Sequence, residues 1–311
     1  METYNNNKRS AEDAGISTKT SSPKQQQRFY LPPQFDTVES EIQCHVNWTG
    51  KKVPVVVRKG FKIGNDGRIR TMAIGTPMLA TKFVDLGADG DIGKFGKTEH
   101  NASYNMKTVL ELPEKITSKI NNSQEKAREF YDYLHETVQN MIKIGFETDG
   151  VWTKWKKAAE KKAAKEKKKN PDSARTAYEI FVEDAKTSMF QTFEDSNGED
   201  IKMYAFSTPY QMKVRGVPTN NRPTFWKQVR TEYGDRSVKN ITDELPSKKN
   251  GLRHGSVVKF AFELNAYDLD TMYGIKAKLK PNILCVYLPK GSQQSVNEMI
   301  GNDTYFSDDE D

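Results

Sequence analysis

Basic and aromatic side chains interleave in two stretches of the chain. The first stretch contains Trp48, Lys51, Lys52, Arg58, Lys59, Phe61, Lys62, Arg68 and Arg70. The second contains Tyr204, Phe206, Tyr210, Lys213, Arg215, Phe225, Trp226, Lys227 and Arg230. Lysine and arginine neutralise phosphates, and an aromatic ring that stacks on a base contributes roughly 1–3 kcal/mol. The two stretches therefore predict a surface that binds single-stranded nucleic acid.

Some of these rings have an alternative place in the core. Phe206 lies on a regularly alternating segment, so we assign it to the core. Trp48, Phe61, Phe225 and Trp226 stand beside turn residues or charges, which predicts exposed rings. For each of these four, base stacking and core packing both stay open at this point.

Residues 91–98, DIGKFGKT, have part of the composition of a phosphate-binding loop. Such a loop needs glycines whose backbone N–H groups wrap the phosphates, and then a lysine and a hydroxyl. Gly96, Lys97 and Thr98 fit, but Asp91 occupies the first glycine position and residues 100–112 alternate like a strand. The stretch favours a glycine-rich surface loop, and a phosphate-using enzyme built on residues 96–98 is the weaker alternative.

Other candidate catalytic and metal-binding groups are scattered. The histidines are isolated from one another and from any nucleophile: His45, His100, His135 and His254. The carboxylate pairs at 89/91 and 268/270 lie in predicted turns without a supporting histidine. Two cysteines are too few for a structural zinc site. We therefore predict a binding protein rather than an enzyme, with no catalytic residues, no cofactor and no metal.

Short strands occupy the first half of the chain. Alternating and β-branched runs predict strands over residues 41–48, 53–58, 68–74, 78–86 and 103–112, with glycine, proline, asparagine and aspartate in the turns between them. Further strands are predicted over 201–206 and 211–214. Several short strands at this spacing indicate a barrel or sandwich.

Helical patterns separate the two β blocks. Residues 124–145 carry apolar residues at helical spacing, and residues 174–193 repeat the pattern. Between them, residues 151–169 hold nine lysines and two glutamates. This lysine-rich helix is either a solvated face, a phosphate-contact surface or a basic cluster of the nuclear-import kind. We predict a helical insertion of about residues 114–193.

Residues 255–289, GSVVKFAFELNAYDLDTMYGIKAKLKPNILCVYLP, close the second β block. Alternation over 258–264 predicts one strand, alternation over 275–279 a second, and the apolar run 283–288 a third. Three strands this close together indicate an antiparallel meander. The second strand places Lys276 and Lys278 opposite its apolar residues, so both lysines join the predicted nucleic-acid site.

Charge and composition limit the classes of protein. The 311 residues include 48 basic and 42 acidic ones, a net charge of +6, and the basic residues concentrate within 51–70, 154–169 and 213–230. No segment approaches the roughly 18 apolar residues of a membrane span, and residues 1–28 are polar rather than signal-like. Cys44 and Cys285 suit reduced thiols. We expect a soluble, intracellular protein without a membrane partner.

The block 255–289, followed by GNDTYFSDDED, resembles a family: the single-stranded DNA-binding proteins of phages and large cytoplasmic DNA viruses. That family is built on one elaborated OB-fold with an acidic C-terminal tail. In it a similar strand, a Tyr-Gly turn and a lysine-bearing strand close the barrel shortly before the tail. The resemblance covers about a quarter of the chain, and the lysine-rich helical insertion departs from it. It implies a non-enzymatic protein that coats single strands in the host cytoplasm or nucleus.

The predicted fold is α+β, mainly β. Residues 1–28 form a disordered N-terminus, residues 29–290 an OB-fold-like nucleic-acid-binding domain with the helical insertion, and residues 291–311 a flexible acidic tail. The expected function is non-sequence-specific binding and protection of single-stranded DNA during viral DNA replication, recombination or repair. The alternative is a structural or interaction protein of a virion or replication complex, which would cluster its exposed aromatics away from its lysines.

The tail is a second predicted binding segment. Its partner-binding residues are Tyr305, Phe306, Asp308, Asp309, Glu310 and Asp311. We expect it to occupy the basic groove when DNA is absent and to dock on replication proteins when DNA displaces it. The sequence does not separate DNA from RNA as the ligand, and a homo-oligomer stays open.

Overall fold

The computed structural model describes residues 29–47, 50–61, 71–87, 89–172, 174–194, 198–214, 217–230, 236–245, 252 and 254–289, without the side chains of 212–214, 217–219 and 230. The strands are β1 (Ser40–Val46), β2 (Lys52–Arg58), β3 (Ile74–Gly75), β4 (Leu79–Asp85), β5 (Ser103–Val109), β6 (Phe190–Glu194), β7 (Asp200–Pro209), β8 (Gln211–Val214), β9 (Val217–Asn220), β10 (Thr224–Arg230), β11 (Arg236–Asn240), β12 (Val257–Asp268) and β13 (Tyr273–Tyr287). The helices are α1 (Glu114–Thr117), α2 (Ser123–Glu147), α3 (Thr153–Lys169) and α4 (Ala177–Asp184).

Five of these strands close into a barrel. β4 pairs with β5, β5 with β7, β7 with β13, and β13 with β12, which returns to β4. The β7–β13 pairing is parallel and the other four are antiparallel. Numbered in chain order, the barrel strands follow the order 1-2-3-5-4-1, a five-stranded Greek-key barrel of the OB type. The predicted OB-fold-like barrel is confirmed.

Strand alternation decides which side chains fill the barrel. On β5, Tyr104, Met106 and Thr108 are buried, while the residues between them face outward. Inside, the Phe206 ring lies edge-on to Phe260 at 4.8 Å between centroids. Phe206 is therefore a core residue, as its alternation predicted.

β12 and β13 form one long hairpin, which corrects the predicted three-strand meander. Phe262 pairs with Leu279, but Phe260 pairs with Ile283, so three residues of β13 face one residue of β12. This bulge contains Pro281, which has no N–H to donate to a ladder and is tolerated at such a position. The two apolar runs at 275–279 and 283–288 are therefore one strand that pairs first with β7 and then with β10.

Helix α2 closes the barrel at the end where β5 stops and β7 begins. Phe130 packs against Phe262 with the ring centroids 5.7 Å apart, and Tyr131 stacks on Tyr204 at 3.9 Å. The helix predicted over 124–145 is confirmed, with one residue more at its start and two at its end. The buried face of α2 covers this end of the barrel, which would otherwise be open to solvent.

Aromatic side chains fasten α3 and α4 to the turn between β12 and β13 (residues 269–272, the β12–β13 turn). Tyr273, the first residue of β13, stacks against Trp155 at 5.1 Å and packs against Phe181 at 4.7 Å. Trp155 Nε1 donates a hydrogen bond to Asp268 Oδ1 at 3.0 Å. Helix α3 therefore starts at this end of the barrel.

The helix predicted over residues 174–193 is wrong in its second half. A capping box at Thr176 starts α4, but the helix ends at Asp184. Residues 190–194 form β6, which pairs with the edge of β7. The segment TSMFQTF is rich in β-branched and aromatic residues, and these favour a strand where a sheet edge is available.

Several predictions concern residues outside this description. The N-terminus 1–28 and the tail 291–311 are among them, as are residues 68–70 of one predicted strand. Their predicted disorder and strand structure stay predictions. In the described ranges, no helix is long and apolar enough to cross a membrane.

We expect Gly145→Ala to destabilise the protein, although alanine favours helices by about 1 kcal/mol over glycine. A Cβ at Gly145 would lie 2.4 Å from Trp152 Cζ3, so the ring on which the start of α3 depends would have to move. The free energy of unfolding in urea should fall by about 1–3 kcal/mol, as in other overpacked cores. Asn140→Ala, at an exposed position of the same helix, is the matched control and should be neutral or stabilising. A stabilised Gly145→Ala variant would show that the close Trp152 contact is absent.

Candidate nucleic-acid interface

Outward side chains of four barrel strands form a continuous surface, which we call the outer face. It consists of Phe83 and Asp85 on β4, Asn105 and Lys107 on β5, Ala205 and Ser207 on β7, and Lys276 and Lys278 on β13. The strand registers place them in rows: Phe83 lies opposite Lys107, which lies opposite Ala205, and Asp85, Asn105, Ser207 and Lys278 follow one another in the next row. All eight are exposed or half-buried. Outward faces of the second and third strands carry the ligands of OB barrels.

Two exposed phenylalanines stand beside lysines at this surface. Phe83 is 43% exposed and Phe193 of β6 is 39% exposed, and their ring centroids are 5.5 Å apart. Lys107 Nζ lies 5.5 Å from the Phe83 centroid, and Lys82 Nζ lies 6.0 Å from the Phe193 centroid. Each ring can therefore offer a face to a base while its neighbouring ammonium group reaches a phosphate.

The loop between β4 and β5 (residues 86–102) carries another ring. The Phe95 side chain is 100% exposed, at a backbone φ of 51°. This left-handed conformation costs a residue with a side chain roughly 1–2 kcal/mol. Gly93 and Gly96, on either side, have φ values of 79° and 72°, which glycine adopts freely. The loop thus holds a large apolar ring in water, where a base could cover it.

A buried carboxylate holds this loop on the barrel. Asp91 is 4% exposed and accepts hydrogen bonds from Ser103 N at 2.6 Å and Asn105 Nδ2 at 2.7 Å. It also pairs with Lys97, and Lys94 pairs with Asp85 of the outer face. The Lys97 ammonium group therefore neutralises Asp91, which favours the surface-loop interpretation of residues 91–98 over a phosphate-binding loop.

Sequence reasoning missed five of the residues described above: Lys82, Phe83, Phe95, Lys107 and Phe193. Phe83 lies within the predicted strand 78–86, and Phe193 ends the predicted helix 174–193. The signal was nevertheless in the sequence. Residues 82–83 and 94–97 read KF and KFGK, the same interleaving of basic and aromatic residues that identified the two longer stretches.

The first predicted stretch lies on the β1–β2 hairpin, where its lysines have acceptors in the protein. Lys51 Nζ donates to the Asp268 carbonyl at 2.8 Å, and Lys52 Nζ donates to the Asp149 carbonyl at 3.3 Å. Both lysines therefore lie near the β12–β13 turn and the start of α3.

Three other residues of this stretch are also described. Lys59 forms a surface ion pair with Glu39 at 2.8 Å, and Arg58 is exposed at the end of β2. Phe61 is half-buried against a cluster of β2 valines, so its ring is less exposed than predicted. Trp48, Lys62, Arg68 and Arg70 lie outside the described residues, and their role stays a prediction.

In the second stretch, the prediction that Phe225 and Trp226 are exposed is wrong. They are 0% and 5% exposed, because β10 packs beside β13 in a parallel pairing. Trp226 Nε1 donates to Asn282 Oδ1 at 3.1 Å, the kind of partner that a buried indole N–H requires. Tyr204 is 4% exposed beneath α2, and burial raises the pKa of its hydroxyl to about 12. These three rings serve the core and present no face to a base.

The remaining members of the second stretch are cationic. Lys227 is half-buried, and burial together with the facing Lys239 lowers its pKa. Arg215 and the side chains of Lys213 and Arg230 lie outside the described residues. The structure thus brings Lys276 and Lys278 together with Lys107 and Phe83, whereas the two interleaved stretches do not form one site in the described part of the chain.

We expect Asp91→Asn to loosen the β4–β5 loop, because the amide keeps the volume of the carboxylate but not its charge. Hydrogen bonds to a charged group contribute about 1.5–3 kcal/mol, and local stability should fall by an amount of this order. Hydrogen–deuterium exchange should become faster at the Ser103 amide and across residues 94–98. Asp89→Asn, an exposed aspartate of the same loop, is the control and should leave exchange unchanged. Unchanged exchange in Asp91→Asn would show that Asp91 does not anchor the loop.

The chain was also compared with known proteins. No family model matches it, and no curated protein sequence matches it. Among solved structures it is similar to gp2.5, a single-stranded DNA-binding protein encoded by bacteriophage T7, at 11% identity over 73% of this chain and 97% of that one, with a TM-score of 0.37. It is also similar to the single-stranded DNA-binding protein of bacteriophage Enc34 in complex with single-stranded DNA, at 10% identity over 71% and 88% of the two chains, with a TM-score of 0.32. Both neighbours are of the class that the sequence resemblance names.

Proposed function

We propose that the protein binds single-stranded DNA without sequence specificity, on the outer face and the β4–β5 loop. The observation that carries this proposal is the exposure of three phenylalanine rings, Phe83, Phe95 and Phe193, on or beside a barrel surface that also bears lysines. Bases stack on such rings, and lysines follow the phosphates. The proposed activity is binding and protection, without a chemical step.

The same geometry favours single strands over duplex. A phenylalanine can stack on a base only when one face of the base is free, and in a duplex both faces are stacked on neighbouring bases. Every base has a face to offer, so stacking selects little by sequence. A duplex could contact only the lysines, with lower affinity.

The placement of the rings also bears on the alternative, a structural or interaction protein of a virion or replication complex. That alternative predicts exposed aromatics clustered away from the lysines. Phe83 and Phe193 instead lie within 6.0 Å of Lys107 and Lys82, measured from ring centroid to Nζ. This arrangement supports nucleic-acid binding, and we carry no second function forward.

The biological setting is part of the proposal and comes from the sequence resemblance. We propose that single strands exposed during viral DNA replication, recombination or repair are the substrate. In the same way, residues 29–290 are proposed as the binding domain between the N-terminus 1–28 and the tail 291–311. The acidic tail residues are proposed to contact replication proteins.

Fluorescence anisotropy of a labelled single strand of about 30 nucleotides, compared with duplex of the same length, tests the proposal. We expect a strong preference for the single strand. Each phosphate contact should add about 0.7 to the slope of log affinity against log salt for single strands, so binding should weaken steeply between about 50 and 200 mM salt. Equal affinity for both forms, or binding that does not respond to salt, would contradict the proposal.

Phe95→Ala should weaken single-strand binding by the value of one stacked base, about 1–3 kcal/mol, which corresponds to roughly 5- to 150-fold in affinity. The thermal unfolding midpoint should not change, since the ring is fully exposed in the free protein. Phe95→Trp is the control and should retain or improve binding. If Phe95→Ala binds single strands with wild-type affinity, the β4–β5 loop is not part of the interface.

Deletion of residues 303–311 should tighten single-strand binding. The deleted segment carries the densest acidic block of the chain and is proposed to compete with DNA for the lysines. The gain should be largest at low salt. The control is a full-length variant with Asp308, Asp309, Glu310 and Asp311 changed to asparagine or glutamine, which should behave like the deletion. If affinity is the same with and without the tail, the competition model is refuted.

A further inference from the structure

One face of α3 is a stripe of lysines, formed by Lys154, Lys157, Lys161, Lys165 and Lys168. Successive members are three or four residues apart, so they lie along one side of the helix. All five are exposed. At about 1.5 Å per residue, the stripe is about 21 Å long.

The opposite face of α3 packs on the protein. Ala159 is 1% exposed, and Trp155 and Ala163 are half-buried against the core. The lysine stripe therefore points away from the protein body. Packing of Trp155, Ala159 and Ala163 on the core sets the direction in which the stripe faces.

The stripe lacks neutralising partners. Lys154 donates to a backbone carbonyl, that of Asp270, at 2.7 Å, and in the described part of the chain none of the five ammonium groups forms an ion pair with a carboxylate. Of the nearby acids, Glu166 pairs with Arg175, and Asp184 pairs with Lys162 at 2.5 Å. Glu160 lies exposed on α3 beside the stripe, and in the described residues it forms no ion pair with any of the five lysines. Like charges three or four residues apart on a helix destabilise it, by about 0.2–0.5 kcal/mol per pair. An anion along the stripe would remove that repulsion.

The stripe begins where the outer face ends. On β13, Lys278 and Lys276 lead along the outer face toward the β12–β13 turn. Lys154, the first lysine of the stripe, is hydrogen-bonded to Asp270 within that turn. Trp155 and Tyr273 hold the helix at this place through their stacked rings. Lysines therefore lie on both sides of the turn: Lys276 and Lys278 on the barrel surface, and Lys154, which reaches the turn from α3. The turn itself, residues 269–272, carries Asp270 and no lysine.

We propose that α3 is a second contact surface for the same single strand: DNA that leaves the outer face along β13 crosses the β12–β13 turn, and its phosphates pair with the lysine stripe. The ligand of the stripe is the sugar-phosphate backbone, because the stripe offers cations. The ring beside its first lysine, Trp155, is stacked on Tyr273 and half-buried. This inference rests on the proposed function. It adds that the occluded length of DNA exceeds what the barrel alone can cover.

The test compares wild type with the variant Lys157→Gln/Lys161→Gln/Lys165→Gln/Lys168→Gln, which keeps good helix formers in place. Affinity is measured for single strands of about 8 nucleotides, within the range that one OB barrel covers, and for strands of about 30 nucleotides. The variant should bind the short strand like wild type. It should bind the long strand about tenfold or more weakly, with a salt slope lower by about 3, since each of four lost phosphate contacts contributes about 0.7.

Lys→Arg at the same four positions is the matched control, because it preserves the charge and should preserve long-strand binding. Circular dichroism checks that helix content is the same in all three proteins. Wild-type affinity of the glutamine variant for both strand lengths would overturn the inference and leave the proposed function standing. An equal loss at both lengths would also overturn it, because the stripe would then act on the barrel site itself. A wild-type protein that binds neither strand would contradict the proposed function instead.

Discussion

Barrel closure by β12 is the constraint on which the other features depend. β12 pairs with β13 along one edge and with β4, β3 and β2 along the other. Once the ring is closed, each barrel strand must alternate between a packed interior and an outward surface. Gly274 at the start of β13 shows how tightly the insertion is joined to this ring, since a Cβ there would lie 1.8 Å from the Lys186 carbonyl oxygen. The helices of the insertion dock at the end of the barrel and leave the outer face open.

Two lysines of the β4–β5 loop are paired with carboxylates, one partly exposed and one buried, and the two pairs differ in what they can do. Lys94 pairs with Asp85 and Lys97 with Asp91, and these ion pairs connect the loop to the barrel. Exposed ion pairs contribute little to stability, and the Lys94 pair could exchange its carboxylate for a phosphate at small cost. The Asp91 pair is largely buried and holds the loop.

The sequence predicted the architecture better than the site. Alternation located most strands, and helical spacing located α2 and the start of α4, because burial of one side leaves a period in the chain. The sequence prediction was wrong at Pro281, because a bulge accommodates a residue without an N–H donor and the strand continues through it. It was also wrong at residues 190–194, which have helical spacing but pair with the edge of β7. The exposure of individual side chains was harder to predict than the secondary structure. Trp226 was predicted exposed from its charged neighbours, but the β10–β13 pairing covers it, and that contact joins residues about 60 positions apart. Lys276 and Lys278 were placed correctly on the outward side because that depends on their own strand alone.

Photo-crosslinking tests the central claim most directly. A single strand carrying photoreactive pyrimidines would be irradiated in complex with the full-length protein, and the attached peptides would be identified by mass spectrometry. The account predicts crosslinks at Phe83, Phe95 or Phe193, which are the exposed rings of the outer face and its neighbouring loop and strand. Crosslinks confined to the β1–β2 hairpin, with none in β4, β6 or the β4–β5 loop, would contradict it and would place the binding surface elsewhere on the barrel.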